Sequence, residues 1–541
     1  MSRSDHTIGC WLTARAALTP DRVAVDFNDR QISYRQLADA AARRAADFMA
    51  SGLKPGDRVA TLAKNCPEQV EVFFACAASG LIMLPLNWRL TTAELAWQID
   101  DAVPAVLLTD QQFQAAAGVA SRQSAASPSV ALLSEPASAA RRRAQGRPGL
   151  LTPAPAGPRP VKDDDPLLIV YTSGTTGKPK GAVLTHSNCF WTNLSLDRTA
   201  EMSADDVVLQ VLPQCHVGGW NVQPLLAWWK GATVVLESAF DAARVLELIP
   251  AKRVTTMMGV PTNYLMLAAS DQFTAADLSS LRQLIVGGAP MPRPLIDTWL
   301  ARGVTVLQGY GLTEAAPNVL CVPPEYAQRK AGSAGRPYLH VQVALRELPD
   351  TPRAGTPAAA MDAGPASLST AGPQLVEGPG VGELMVAGPN VFSGYWQNPD
   401  ASAAAMQAGW LGTGDVAERD SDGFYWIRGR LKEMYISGGE NVYPAEVEGV
   451  LTGHEAISEA AVIGIPDQRW GEVGIAFVVF RPGHELPVDQ LDAYCRARLA
   501  AYKAPKVFRL VPELPYLSTG KVDKMQLAAH VLAAGADTGG K

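Results

Sequence analysis

Between Tyr171 and Gly181 the chain carries Thr172, Ser173, Gly174, Thr175, Thr176, Gly177, Lys178 and Lys180. Glycines let backbone N–H groups approach phosphate oxygens with no Cβ in the way, the hydroxyls add donors, and the lysines add positive charge. A nucleoside triphosphate is the natural guest of such a loop. It is not a Walker A loop, because Pro179 follows Lys178 where a Ser or Thr is needed, and Thr172 stands where the first glycine belongs. A mobile surface hairpin rich in turn residues is the competing reading of the same composition.

Gln308-Gly309-Tyr310-Gly311-Leu312-Thr313-Glu314 sets an aromatic plane between two glycines, beside a hydroxyl and a carboxylate. The set suits a purine on Tyr310, a phosphate on Thr313 and Mg2+ on Glu314, since a hard cation takes oxygen ligands. A strand-end turn with a core tyrosine would use the same residues. In Thr413-Gly414-Asp415 the carboxylate follows a tight turn and suits two neighbouring ribose hydroxyls, although such a tripeptide is also a common turn. His216 stands in an apolar stretch, where a histidine is ordinarily a packed core residue. Lys521 follows a Ser-Thr-Gly turn that would hold it at a loop tip. The stretch from Gly429 to Glu446 has a hinge-like start and a glycine pair, Gly438 and Gly439, that permits close backbone approach. It ends in an acidic helix start after Pro444.

Together these segments resemble the adenylate-forming superfamily, which includes acyl-CoA synthetases, firefly-type luciferases and peptide-synthetase adenylation domains. Motifs of that family recur in its order at Leu212–Gly219, Gly287–Pro290, Gln308–Glu314, Thr413–Asp415, Gly429–Glu448 and Pro515–Lys521. The resemblance implies that residues 172 to 178 hold the triphosphate, that Gly288, Ala289 and Pro290 form the adenine wall beside Gln308, Gly309, Tyr310 and Gly311, and that Asp415 with Arg430 binds the ribose. It places Thr172 with Glu314 near Mg2+, and makes His216 a carboxylate-positioning and gating residue. Ser437, Gly438 and Gly439 would lie on the face that turns toward the active site for the thioester step, about a pivot at Lys432. Lys521 would be the main catalytic residue, spanning the carboxylate and the α-phosphate, where a preorganised cation can lower a barrier by about 3 to 4 kcal/mol. Ile436 stands where luciferases and plant coumarate ligases carry a lysine, which points toward bacterial acyl- and aryl-CoA synthetases instead.

The implied activity is an ATP-dependent carboxylic acid:CoA ligase using ATP, Mg2+ and coenzyme A. It would form an acyl-AMP and pyrophosphate first, then a thioester and AMP. Two other readings compete: loading of the acyl group onto a carrier protein, and a nucleotide-binding regulator without turnover, which would have little use for Lys521. No carboxylate lies between Leu212 and Leu226, where amino-acid-activating relatives bind the substrate ammonium, so an α-amino acid is not expected. Trp220, Met258 and Val260 are candidate apolar walls of an acid pocket, with space beside Gly287 and Gly309; the same residues equally suit buried packing. A fatty or other hydrophobic acid is the first expectation, and a benzoate- or cinnamate-type acid the alternative.

With 47 basic and 53 acidic residues and a net charge of −6, the chain offers no basic field for nucleic acid. Its seven cysteines are scattered without a C-x-x-C pair, so neither a disulfide framework nor a zinc site is expected. A cytoplasmic protein is the expectation, with no signal or transmembrane segment, acting as monomer or homodimer on small molecules.

The elements that must position these residues alternate. A helix from Ser33 to about Ala50, strand Arg58–Leu62, helix Glu68–Ala78 and strand Ile82–Leu86 are followed by a capping box at Thr91 and Glu94, and by strand Ala105–Thr109. Strands at Leu167–Tyr171 and Ala182–Leu184 flank the glycine-rich loop. Two Ala/Pro/Ser/Gly-rich stretches, Gln114–Pro160 and Pro349–Pro379, read as surface excursions. The fold class is α/β: a large layered N-terminal domain over residues 1–430, a hinge at 431–432, and a small α+β domain over 433–541. The resemblance adds a distorted β-barrel to the first domain and mobility to the second.

Overall fold

The computed structural model describes residues 6–136, 160–172, 179–348, 374–438, 440–467, 469–516 and 521–536. The chain forms two compact units. One is built from Met1–Met291, Leu295–Val343 and Val386–Met406, the other from Pro292–Pro294, Ala344–Met385 and Gln407–Lys541. Residues 407–430 therefore pack with the C-terminal segment, whereas the sequence divides at Arg430.

The first unit holds two sheets. In the seven-stranded sheet the order is Gly394–Tyr395, Lys180–Thr185, Pro166–Thr172, Ile82–Pro85, Arg58–Leu62, Val106–Thr109 and Ser129–Leu132. The last five strands run parallel to one another, and Pro166–Thr172 turns back antiparallel into Lys180–Thr185. Helices between the parallel strands start where the sequence says they must. Thr91 Oγ1 accepts the Glu94 N–H at 3.3 Å while Glu94 Oε2 accepts the Thr91 N–H at 2.8 Å, the reciprocal capping box. Ser33 and Gln36 repeat the device ahead of helix Tyr34–Ala50.

The first Ala/Pro-rich stretch is not wholly an excursion. It contributes helix Gln114–Gln123 and the edge strand Ser129–Leu132, paired parallel to Val106–Thr109. Ala117 and Ala120 are fully buried; small side chains let this helix pack closely, and their smallness is what makes the sequence look featureless. Residues 137–159 and 349–373 lie outside the described residues.

The nine-stranded sheet orders Arg336–Pro337, Asn318–Cys321, Thr305–Gly311, Gln283–Val286, Thr256–Gly259, Val207–Gln210, Thr233–Leu236, Val23–Phe27 and Arg30–Ser33. Its core joins Leu209, Met257, Leu284 and Val306 to Trp299 and Tyr264 from the covering helices.

A five-stranded sheet, most of whose residues belong to the second unit, carries Gln342–Arg346, Gly380–Ala387, Trp410–Arg419 and Met406–Gln407 in order, with Tyr425–Arg430 paired to Trp410–Arg419. A second five-stranded sheet is built on the long hairpin Ile457–Asp467 and Gly471–Phe480. Helices Pro444–Thr452 and Val488–Arg496 pack one hydrophobic cluster with it, and helix Lys524–Ala536 packs another through Leu527. Gly464 and Gly474 face each other across the hairpin ladder. A Cβ on either would fall 2.4 Å from an atom of Tyr435, so the pair forms a slot for that ring. Among the described residues no helix is long and apolar enough to cross a membrane.

Candidate active site

Strands Val207–Gln210, Thr256–Gly259, Gln283–Val286 and Thr305–Gly311 run parallel side by side. The residues that follow them therefore leave one edge of the sheet, the carboxyl edge at which open α/β sheets bind ligands. His216, Val260, Gly287 and Glu314 all follow these strands. A Cβ on Gly287 would lie 3.0 Å from Met258 Cε and 3.4 Å from Gly309 O, and one on Gly288 would lie 3.4 Å from Val260 Cγ1. Met258, Val260, Gly287 and Gly309 thus form one cluster with room for little but glycine at its centre.

Trp220 does not belong to that cluster. It has no exposed surface, its ring stacks on Phe73 at 4.8 Å, and its Nε1 donates to Gln214 O at 2.7 Å. Apolar packing between the short helix Gly218–Asn221 and helix Pro67–Ser79 claims it, which corrects the expectation of a pocket wall.

Thr172 ends its strand and Glu314 lies in the 3-10 turn Thr313–Ala315. Thr172 Oγ1 donates to Glu314 Oε1 at 3.3 Å, joining residues 142 apart in sequence. Tyr395, which the sequence reading missed, donates its hydroxyl to the same oxygen at 2.9 Å. Lys180 Nζ lies 5.1 Å from the centre of the Tyr395 ring. Burial, and then the Glu314 charge, raise the Tyr395 phenol, which keeps it a donor.

The turn itself is clamped. Phe392 N donates to Glu314 O at 2.9 Å, and the buried Asn390 Nδ2 donates to Ala315 O at 2.9 Å and Asn318 O at 3.1 Å. Gly311 is required by close approach, since a Cβ there would sit 1.9 Å from Pro317 O. Thr172 and Glu314 offer only oxygen to a cation. Among the described residues there is no group of three or more His, Cys, Asp or Glu able to hold a metal. A site with so few protein ligands fits Mg2+, which keeps waters and phosphate oxygens in its shell.

The His216 loop is tied down by a buried polar network. Gln214 N donates to Asn65 Oδ1 at 2.8 Å, and Gln214 Oε1 accepts from Cys66 N at 3.0 Å and Gln69 Nε2 at 3.1 Å. His216 is half-buried at the turn thus fixed, its N–H donating to Pro213 O at 3.1 Å. Gln308, expected at the nucleotide, is buried and used otherwise. Its Oε1 accepts from Met291 N at 3.1 Å and its Nε2 donates to Gly332 O at 3.3 Å, so it braces the turn that presents Gly288, Ala289 and Pro290, all three exposed. Tyr310 and Thr313 are half-buried. Ser173, Gly174, Thr175, Thr176, Gly177 and Lys178 lie outside the described residues, as does Gly439.

In the second unit Asp415 and Arg430 are direct cross-strand partners, with Arg430 Nε 3.0 Å from Asp415 Oδ1. The Asp415 turn is held from below: Thr413 Oγ1 donates to Leu384 O at 2.7 Å and Gly414 N donates to Glu383 Oε1 at 3.1 Å. Lys432 is exposed in the 3-10 turn Leu431–Glu433. Ser437 is fully buried in strand Tyr435–Ser437, its Oγ without a hydrogen-bond partner among the described residues. It presents no hydroxyl to a ligand, because the alternation of the strand turns it inward, and this corrects the expectation of a cofactor contact. Gly438 is exposed and donates its N–H to Trp470 O at 2.8 Å. Lys521 is exposed, just before a backbone bridge between Tyr516 and Val522.

Residues 12–396 match the model of the AMP-binding enzymes and residues 446–521 that of the AMP-binding enzyme C-terminal domain. The chain is 40% identical over 518 residues to a feruloyl-CoA synthase of Amycolatopsis sp, covering 96% of this chain and 97% of the relative. It is 40% identical over 516 residues to an indoleacetate–CoA ligase of Aromatoleum aromaticum, covering 95% and 96%. The o-succinylbenzoate CoA synthetase of Bacillus subtilis, solved in complex with ATP and magnesium ion, superposes with a TM-score of 0.80 at 31% identity, covering 96% of this chain and 99% of that one. The chain belongs to the AMP-binding enzymes, in their acid:CoA ligase branch.

Proposed function

We propose that the acid activated by this member of the branch is aromatic, a planar ring bearing a short carboxylate side chain, and that ATP, Mg2+ and coenzyme A are its partners in the reaction. The observation that carries the chemistry is the approach of Thr172 to Glu314 at the carboxyl edge of the strands. The relatives named for ferulate and indoleacetate, which match over almost the whole chain, support an aromatic acid. The same reading replaces a fatty acid as the first expectation.

A carboxylate is a poor electrophile because its charge repels nucleophiles and its leaving group would be oxide. In the first step a carboxylate oxygen attacks the α-phosphorus of ATP; the bond to the β-phosphate oxygen breaks and pyrophosphate leaves with the electron pair. In the second, the CoA thiol loses its proton to solvent and its sulfur attacks the carbonyl carbon; the bond from that carbon to the AMP phosphate oxygen breaks and AMP leaves with the electron pair. Such chemistry is largely positioning and charge stabilisation. Lys521 supplies positive charge where carboxylate and α-phosphate meet, Asp415 with Arg430 receives the ribose, and His216 orients the acid. Thr172 and Glu314 would hold Mg2+, which screens the phosphate charge. Lys432 is the pivot that lets one locus serve two steps.

The test is AMP release by the purified chain with ATP, Mg2+ and CoA, across cinnamic, arylacetic, benzoic and straight-chain acids. Aromatic acids are expected to exceed straight-chain acids by at least about tenfold in kcat/KM, within the range that pocket shape can supply. A preference for straight chains would overturn the substrate reading.

A further inference from the structure

Lys524 is a largely buried lysine, its side chain 22% exposed, that the chemistry above does not use. Its Nζ lies 2.9 Å from Glu433 Oε2 and 2.8 Å from Glu448 Oε1. Burial alone would favour the neutral amine, but the charges of Glu448 and Glu433 outweigh it and keep Lys524 cationic. Glu433 directly follows Lys432 in the turn Leu431–Glu433. Glu448 lies on helix Pro444–Thr452, and its Oε1 also accepts the Val462 N–H at 2.8 Å, which anchors it to the sheet.

Lys524 stands three residues after Lys521. Between them, Val522 bridges to Tyr516, and Asp523 N donates to Pro515 O at 2.8 Å. Asp523 Oδ1 then accepts the Gln526 N–H at 3.0 Å at the start of helix Lys524–Ala536, whose Leu527 is buried in the core. Backbone pairing closes one side of the Lys521 stem, and the ion pairs of Lys524 fix the other.

We propose that Lys524 is a positioning residue: by pairing with Glu433 and Glu448 it locks the stem of the Lys521 loop to the turn that carries Lys432, so that the catalytic lysine and the pivot keep one geometry. This rests on the role proposed for Lys521. The consequence is selective. A lysine that must meet developing charge is sensitive to a shift of about 1 Å, which can cost ~100-fold in rate. Attack of sulfur on an acyl-AMP already made does not require that lysine.

The experiment separates the half-reactions in the full chain. ATP–pyrophosphate exchange, with any acid the unaltered protein accepts, reads the first; thioester formation from supplied acyl-AMP and CoA reads the second. Lys524→Met is expected to slow exchange by about 10- to 100-fold while the KM for ATP and the second half-reaction stay within ~2-fold. Glu433→Gln should act in the same direction, and Lys524→Arg, which retains the charge, should restore most of the exchange rate. Unchanged exchange in Lys524→Met, equal loss in both half-reactions, or an arginine variant no better than methionine would overturn the proposal. Lys521→Ala, run in parallel, tests the underlying role by itself: if that variant keeps its exchange activity, the assignment of Lys521 fails whatever Lys524 does.

Discussion

Asp415 and Arg430 face each other across a hairpin, the guanidinium Nε 3.0 Å from a carboxylate that is only 8% exposed. The pair orients the Asp415 carboxylate. Because Arg430 is 44% exposed, its loss should cost less than about 1 kcal/mol of stability. Its loss should cost more in binding: Arg430→Met is expected to raise the KM for ATP about tenfold, near 1.4 kcal/mol. Steady-state kinetics alongside a thermal melt check both parts.

The Tyr395 hydroxyl and Thr172 converge on one oxygen of Glu314. Tyr395→Phe removes a hydrogen bond to a charged group, an interaction worth about 1.5 to 3 kcal/mol when well formed. The concentration of Mg2+ needed for half-maximal pyrophosphate release should rise at least about tenfold, the equivalent of about 1.4 kcal/mol, with the melting temperature lowered by a few degrees. A titration of Mg2+ at saturating ATP measures it.

Trp220 is a packing residue. Trp220→Ala should destabilise the chain by about 3 to 5 kcal/mol, read by denaturant unfolding. Trp220→Phe should leave the ratio of kcat/KM for aromatic over straight-chain acids within about twofold, since no surface of the ring is open to a substrate.

His186 is fully buried, with Nδ1 accepting the Ile8 N–H at 3.1 Å and Nε2 without a partner among the described residues. Burial pushes its pKa down from 6.5 to about 4, against a smaller opposing pull from Asp165 and Asp163. The unfolded chain therefore binds the extra proton first. Stability from this group is fully present above about pH 6.5 and falls as the pH drops toward 4, by up to ~3 kcal/mol. His186→Gln should flatten that limb of a stability-against-pH curve.

The sequence made some of this legible and not the rest, for physical reasons. Capping boxes and hydrophobic runs are local, so the elements around Thr91 and Arg58 stand where expected. Helix Gln114–Gln123 was missed because alanines that pack closely look like low complexity. Thr172, Glu314 and Asp415 were legible as a hydroxyl and two carboxylates set among glycines. Tyr395 and Asn390 were not, because their roles exist only once a strand 81 residues from Glu314 folds against its turn. Trp220 and Ser437 were misplaced because neither apolar character nor a hydroxyl in a strand tells which way a side chain points.

The most direct measurement is a single turnover without CoA. Purified protein mixed with ATP, Mg2+ and an arylalkanoic or cinnamic acid should yield acyl-AMP and pyrophosphate in equal amounts, up to one per active site, and later addition of CoA should convert that acyl-AMP to thioester and AMP. Failure of any acid to give acyl-AMP, or formation of ADP and phosphate in its place, would contradict the account.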